Sequence, residues 1–532
     1  MCWRGSTRSE RDAANPQKQP GADPLPRPAA PAARQPQPHR TSVGVPKGPE
    51  SFRAAAAVLD VDHIACGDGT QLPLPAPLRH IGDVARIVES LNLGTQVTKY
   101  WTASGQVWLT AAALASLGVD PASLQAADPG KREEVLRELT RGHPLIAEAL
   151  ADGWTIGGQQ GDSLGRWTRL RNADSRLPAW VAVLPALDPG PLANPMLADA
   201  PEPATLAARL QLFARTVGFP YQLHNATTGL DLMMALRGKD RDRLFTPFEP
   251  VEPAQLANTE IDISWCRPPT SAEANHRYVH AYDRGGSYLA GASVDLGVGP
   301  PTHHPDGRPF DPKLPGYWMV EIPPTNNWRM PHLLDPVGNR EGRLRWCTTP
   351  ALQFAIEQDL DLTVVEAYTW AEKLRILEPW YARMRDARTV LDTADPEHQI
   401  VRNQIKVVYA STIGMMGSEA HLRGRPGYAP DRRHHIVAKA RTNILRRIHQ
   451  IGRDHDRWPV AVVADTIAYT SDQADPTAAW PGDPKHLGRG LGEYKPEGSA
   501  PLADHLEFLT GGRYRGKDHL TADRDGANVG GE

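Results

Sequence analysis

The chain has 532 residues, enough for two or three domains with substantial cores, and its net charge of −3 excludes a general attraction for polyanions, so any nucleic-acid contact must be local. Four scattered cysteines (Cys2, Cys66, Cys266, Cys347) without C-x-x-C spacing indicate neither a zinc site nor a disulfide framework. With no apolar run long enough to span a bilayer and no apolar h-region near the N-terminus, a cytoplasmic protein without membrane contact is expected, and the Ala/Arg/Pro-rich, Lys-poor composition suits a GC-rich bacterial, actinobacterial-like replicon.

Residues 1–52 are rich in Pro, Arg and Gln and too poor in bulky apolar groups to order, which predicts a disordered tail. Residues 53–153 read as a small mixed module, with helices over 81–91 and 109–117 and a strand over 96–100. Residues 154–276 read as an α/β segment with a hairpin (166–170 and 180–184), a helix over 203–217, and a Pro- and acid-rich connector from 238. In 277–345 an apolar strand, 278–282, runs into Asp283, and a Pro/Gly/His-rich loop follows at 297–315. Residues 346–415 give a helix over 350–358, a strand over 363–368 and a helical hairpin (378–389 and 399–409). Its second helix presents Lys406 four residues before a small-residue turn at 410–414. Residues 416–497 contain a basic helix, 435–450, with Arg441, Arg446 and Arg447, then a β-hairpin with Asp465 at its tip. A short Gly-rich tail closes the chain at 498–532.

Three segments carry chemistry in a fixed order: Tyr-Asp-Arg-Gly-Gly-Ser-Tyr at 282–288, Lys-Val-Val-Tyr-Ala-Ser-Thr-Ile-Gly at 406–414, and Val-Val-Ala-Asp-Thr-Ile at 462–467. Phosphoryl transfer asks protein for positioning and charge, and two carboxylates with one cation can supply both through bound metal. The order resembles the family B DNA polymerases, most of all their small protein-primed branch. The resemblance covers residues 277–514 and makes Asp283 and Asp465 the metal ligands and Tyr288 the floor of the sugar pocket. It makes Arg284, Arg385 (with Arg383 as the alternative), Lys406, Ser411 and Gly414 the remaining nucleotide-binding positions. The stretch Leu-Gly-Glu-Tyr-Lys-Pro-Glu at 491–497 resembles the family's primer-gripping strand, which implies DNA contacts at Tyr494 and Lys495. Ala410 and Ile413 replace an asparagine and a tyrosine, and Val463 stands where a further acid belongs.

The resemblance implies an α+β, multidomain right hand with an antiparallel palm, helical fingers and a reduced thumb, preceded by an exonuclease-like α/β domain. It implies two Mg²⁺ ions (Mn²⁺ as substitute), with primer-template DNA and dNTPs as partners and a terminal protein primer as a further one left open. Strand 166–170 has no acid where proofreading carboxylates belong, and Asn225 and Asp231 read as turn formers, so nuclease activity is not expected. The missing acid at Val463 and the short thumb keep a second reading open, a polymerase-shaped DNA-binding protein whose catalysis has lapsed.

Overall fold

The computed structural model describes residues 52–512, apart from 75, 158–160, 176, 189, 191–192, 257, 326 and 339–341. The tail expected over 1–52 lies outside the described residues except for Phe52, as does the chain beyond 512. Among the described residues no helix is long and apolar enough to cross a membrane.

The first half is built on one seven-stranded mixed sheet, ordered Gln71–Pro73, His63–Cys66, Ala56–Leu59, Gln106–Leu109, Ala179–Val183, Trp167–Arg171, Thr155–Ile156. Its three central strands run parallel and the others antiparallel. Ala56–Leu59 and Gln106–Leu109 are buried at every position, as parallel strands covered on both faces must be. Ala57, Leu59, Val107 and Val181 face helices Ile81–Ser90 and Pro144–Ala151, while Val58, Trp108 and Ala182 face Pro203–Val217. The division expected at residue 153 therefore runs through a single sheet. The sequence shows two pieces because its central strand pairs are far apart in the chain, and alternation within one strand does not reveal its partner. Helix 203–217 falls where its periodicity puts it. The expected helix 109–117 begins later, at Ala111, because Leu109 ends a central strand and the Thr110 hydroxyl caps the helix by accepting from the Ala113 N–H.

The second half holds a five-stranded antiparallel sheet, ordered Ser264–Cys266, Ala461–Val463, Thr466–Ser471, Tyr278–Arg284, Tyr494–Pro501. Its edge strand comes from within the expected connector 238–276. A four-stranded sheet, ordered Thr302–His304, Val364–Thr369, Gly316–Glu321, Leu344–Thr348, lies nearby in the fold, and the expected loop 297–315 supplies its first strand. Apolar groups of both sheets, with helices Thr349–Glu357 and Pro430–His455, form one core that includes Tyr282, Trp318, Leu352, Ile444, Ile467 and Trp480.

The expected helix 399–409 and turn 410–414 are one continuous helix, Pro396–Met415, capped by Asp395 accepting from the Glu397 N–H. Small residues do not end it. Thr412 donates to the Val408 carbonyl within the helix and packs against Gly229, where a Cβ would come within 1.9 Å of its hydroxyl oxygen. Asn225 and Asp231, read as turn formers, open and lie within the helix Asn225–Ala235, which packs against this one.

Candidate functional site

Cross-strand pairing sets the centre of the site. In the register of the five-stranded sheet Asp283 stands opposite Thr466 on one side and Lys495 on the other. Val463 pairs with Thr466, so Ala464 and Asp465 form a two-residue hairpin loop, and Ala464 adopts a left-handed φ of +51°. Two backbone bonds fix that loop: the Arg284 N–H donates to the Asp465 carbonyl at 3.0 Å, and the Ala464 N–H donates to Ile263 at 2.8 Å. Asp283 and Asp465 thus sit at the same end of adjacent strands, Asp283 buried and Asp465 half-buried.

The Gly285-Gly286 pair lets the chain turn sharply after Asp283. Gly286 has φ +62° and ψ +42°, and a Cβ there would lie 2.9 Å from Arg388 Nη1 and 2.6 Å from a Leu491 methyl. Arg388 therefore lies directly against the loop that follows Asp283. It is buried, and its guanidinium donates to the Tyr409 hydroxyl. Burial pushes that phenol up, the cations of Arg388 and Arg402 pull it down, and the Asp465 carboxylate pushes it up again, so Tyr409 lies between the cations and the acid. Arg402 is half-buried and donates to the Arg489 carbonyl at 2.9 Å. Its pKa is lowered by burial and by the neighbouring Arg388. Lys406, one turn beyond Arg402 on the same row of the helix, is exposed, as is Ala410 after it, while Ser411 is half-buried and Gly414 exposed.

Arg385, expected at the triphosphate, is engaged within its own helix. Arg385 pairs with Asp386 at 2.8 Å and lies over the Tyr381 ring, and Arg383, the alternative, donates to the Val217 carbonyl. Arg388 was legible in principle, since it lies on the same helical row as Trp380 and Met384, both buried.

Tyr288 is half-buried and its hydroxyl donates to Asp262 at 2.6 Å. Burial first, then the nearby Asp262 and Asp465 carboxylates, hold the phenol well above its ordinary range. Asp262 was missed because it lies in a stretch that reads as connector.

The DNA-facing expectations divide. Tyr494 is fully buried and stacked on Trp480 at 5.1 Å, so it offers no surface to a strand. Lys495 is accessible, but its ammonium lies 3.7 Å from Asp283 and 2.9 Å from Glu497. Arg441 is buried. It pairs with Glu260 at 2.5 Å and donates to the Ile261 carbonyl, because helix Pro430–His455 threads the core instead of lying on the surface. Arg446 reaches Glu357 from the surface, and Arg447 contacts Gln450 and His486. Of the histidines in the 297–315 loop, His303 bonds Glu366 and stacks on Tyr368, and His304 bonds Thr369.

Among the described residues no three His, Cys, Asp or Glu side chains converge to hold a metal ion by themselves. Asp283 and Asp465 form a minimal pair of the kind Mg²⁺ accepts when substrate phosphates and water complete its shell. In the first half, the central strand Ala56–Leu59 runs out into Asp60 and Asp62, a position where α/β sheets present ligand-binding groups. Asp60 accepts from the Thr110 hydroxyl at 2.7 Å and Asp62 pairs with His63 at 2.9 Å.

The family described as a domain of unknown function (DUF8841) matches residues 57–222, a span that crosses residue 153 without a break. No curated protein matches the chain. The chain is similar to phi29 DNA polymerase. Against that polymerase complexed with single-stranded DNA the TM-score is 0.41 at 12% identity, covering 74% of this chain and 75% of the other. Against its complex with primer-template DNA and incoming nucleotide substrates the TM-score is 0.43 at 10% identity, covering 84% of each.

Proposed function

We propose that the chain is a DNA-templated DNA polymerase of family B type that extends a primer 3′-hydroxyl with dNTPs. The five-stranded sheet would be its palm, and helices Glu378–Val390 and Pro396–Met415 its fingers. One observation supports the reading: two aspartates distant in sequence stand at the same end of adjacent antiparallel strands, beside a loop against which the cation Arg388 lies.

The carboxylate pair would hold Mg²⁺ or Mn²⁺, and such ions lower the pKa of an attacking hydroxyl and offset charge on the leaving oxygens. The chain's own residues do the rest. Arg388, Arg402 and Lys406 counter the charge of the triphosphate, and Asp262 holds the Tyr288 ring in place as the sugar is seated. Lys495, whose ammonium lies 3.7 Å from Asp283, would have to yield that position to a bound cation. Arg446 and Arg447 would exchange their contacts with Glu357 and with Gln450 and His486 for backbone phosphates, and a protein primer stays compatible with this arrangement.

Primer extension with purified full-length protein in Mg²⁺ or Mn²⁺ tests the reading. Wild type should extend, and Asp283→Asn and Asp465→Asn should each abolish extension without loss of primer-template binding. A second reading, a lapsed polymerase that only binds DNA, is favoured by Val463 in place of an acid and by the internal cation at Asp283. It takes over if wild type binds primer-template and extends nothing in either metal.

A further inference from the structure

Behind the helix that follows the Asp283 loop lies a cavity of about 290 Å³ that the reaction above does not use. Its walls come from five places in the chain: Ser293 to Asp295, the loop carrying Lys313, the start of helix Thr349–Glu357, Lys373 with Arg375, and helix Pro430–His455 through His435 and Lys439. The N-terminus of helix Thr349–Glu357 opens into it at Thr349 and Pro350.

The charge lining this cavity is unbalanced. Lys313, Lys373, Arg375 and Lys439 face it with one carboxylate among them, Asp295, and Asp295 is already engaged by Lys373 at 3.0 Å and Arg375 at 3.8 Å. Lys439 is half-buried and, among the described residues, makes no hydrogen bond and no ion pair within 4 Å. Burial first, then the nearby Arg446 guanidinium, lower its pKa, and Glu357, which itself pairs with Arg446, offsets this only in part. His435 is 2% exposed. Its Nδ1 bonds the Asp431 carbonyl, while Nε2 faces the Gly316 backbone without closing a hydrogen bond. A half-buried ammonium without an acceptor is stabilised when an anion occupies the space beside it. A helix N-terminus adds partial positive charge to the same point.

We propose that this cavity is a second phosphate-binding site, taking either a phosphodiester of a nucleic-acid strand or a free polyphosphate. Lys439 and Lys313 are its unpaired cations, and Lys373 and Arg375 its rim. The site is separate from the carboxylate pair and needs no metal.

Binding of pyrophosphate and of a fluorescein-labelled single-stranded 20-mer is measured on full-length protein in EDTA, which silences metal-dependent binding at Asp283 and Asp465. Wild type is compared with Lys439→Met, Lys313→Gln and, as reporter of the other cation cluster, Arg388→Met. If the site takes free polyphosphate, pyrophosphate Kd rises about tenfold in Lys439→Met and Lys313→Gln, the size of one lost charge-assisted contact. If it takes a strand, pyrophosphate binding is weak, 20-mer affinity falls in both variants, and the slope of log K against log salt drops by about 0.7 per cation removed. In either case Lys439→Met, freed of an uncompensated charge, unfolds no earlier than wild type. The proposal is overturned if neither probe binds wild type, if both probes bind the Lys439 and Lys313 variants within twofold of wild type, or if the loss appears only in Arg388→Met.

Discussion

Replacing Arg441 with Met separates a structural arginine from a DNA-binding one. In the folded chain Glu260 is 1% exposed and receives the Thr348 N–H and hydroxyl, each at 2.8 Å, as well as the Arg441 guanidinium at 2.5 Å. Methionine fills similar space and leaves the buried carboxylate without its main counter-charge. Removing one partner of such a pair costs about 3–5 kcal/mol, and Arg345 nearby favours the lower end. Urea unfolding followed by fluorescence of Trp318 and Trp480, both in the affected core, reads the loss directly. The pH dependence has a definite sign. In wild type, burial raises the Glu260 pKa but Arg441 and Arg345 outweigh it, so the folded value is depressed. The stability it brings is therefore present above the unfolded value of about 4.3 and is lost only as pH falls through the lower folded value. In the variant, burial dominates and the folded pKa is raised, so the deficit is largest at neutral pH and shrinks as acid protonates Glu260. A variant as stable as wild type, with weaker DNA binding and a salt slope reduced by about 0.9, would refute this account and return Arg441 to the DNA surface.

Arg209 is 2% exposed and forks between Asp199 (2.6 and 2.7 Å) and Glu397 (2.7 and 2.9 Å), joining the first-half helix to the helix of Lys406; Arg209→Lys cannot make both bidentate contacts and should cost about 1–2 kcal/mol in thermal or urea unfolding, the half-exposed carboxylates limiting the loss. If the proposed activity holds, Arg388→Met should raise the KM for dNTP and lower kcat while Arg385→Met leaves both within twofold, and equal effects from the two would show that the cation assignment is wrong. Lys495→Gln removes the ammonium 3.7 Å from Asp283 and should lower the Mg²⁺ concentration for half-maximal extension by about fivefold, the size of one water-screened charge at that range. Burial raises the Asp231 carboxyl to about 6, so the folded chain holds its proton more tightly than the unfolded chain, and stability falls as pH rises from about 4 to 6; Asp231→Asn should remove that slope and gain about 1–3 kcal/mol at pH 7 in urea titrations.

The elements that sequence exposes well are those whose register is local. Helix 203–217, the strand read over 278–282 (observed as Tyr278–Arg284) and the Asp465 hairpin follow from periodicity and a two-residue loop, and with them comes the placing of Asp283 and Asp465 at the same end of adjacent strands. What sequence hides is partnership. Arg441 and Arg446 look alike on a basic helix, yet one is buried against Glu260 and the other reaches Glu357 at the surface, because burial depends on which face meets the two sheets. Tyr494 and Lys495 are neighbours on a strand and point to opposite faces, one into the Trp480 core and one toward Asp283. Asp262 and Glu260 sit in a Pro-rich stretch without periodicity, and only the folded chain brings them to Tyr288 and Arg441.

The strand bearing Asp283 has a consequence for synthesis. Its two neighbours, Thr466–Ser471 and Tyr494–Pro501, lie far downstream in the chain, so while the residues between are being made the strand waits with both backbone edges open. Unpaired edges of that kind recruit other chains, and long-range antiparallel pairing closes slowly. The first-half sheet can form early because all seven of its strands precede residue 184. A truncation just before Tyr494 would leave one edge of the Asp283 strand permanently unpaired, and the product would be expected to accumulate as aggregate instead of as a shortened soluble protein.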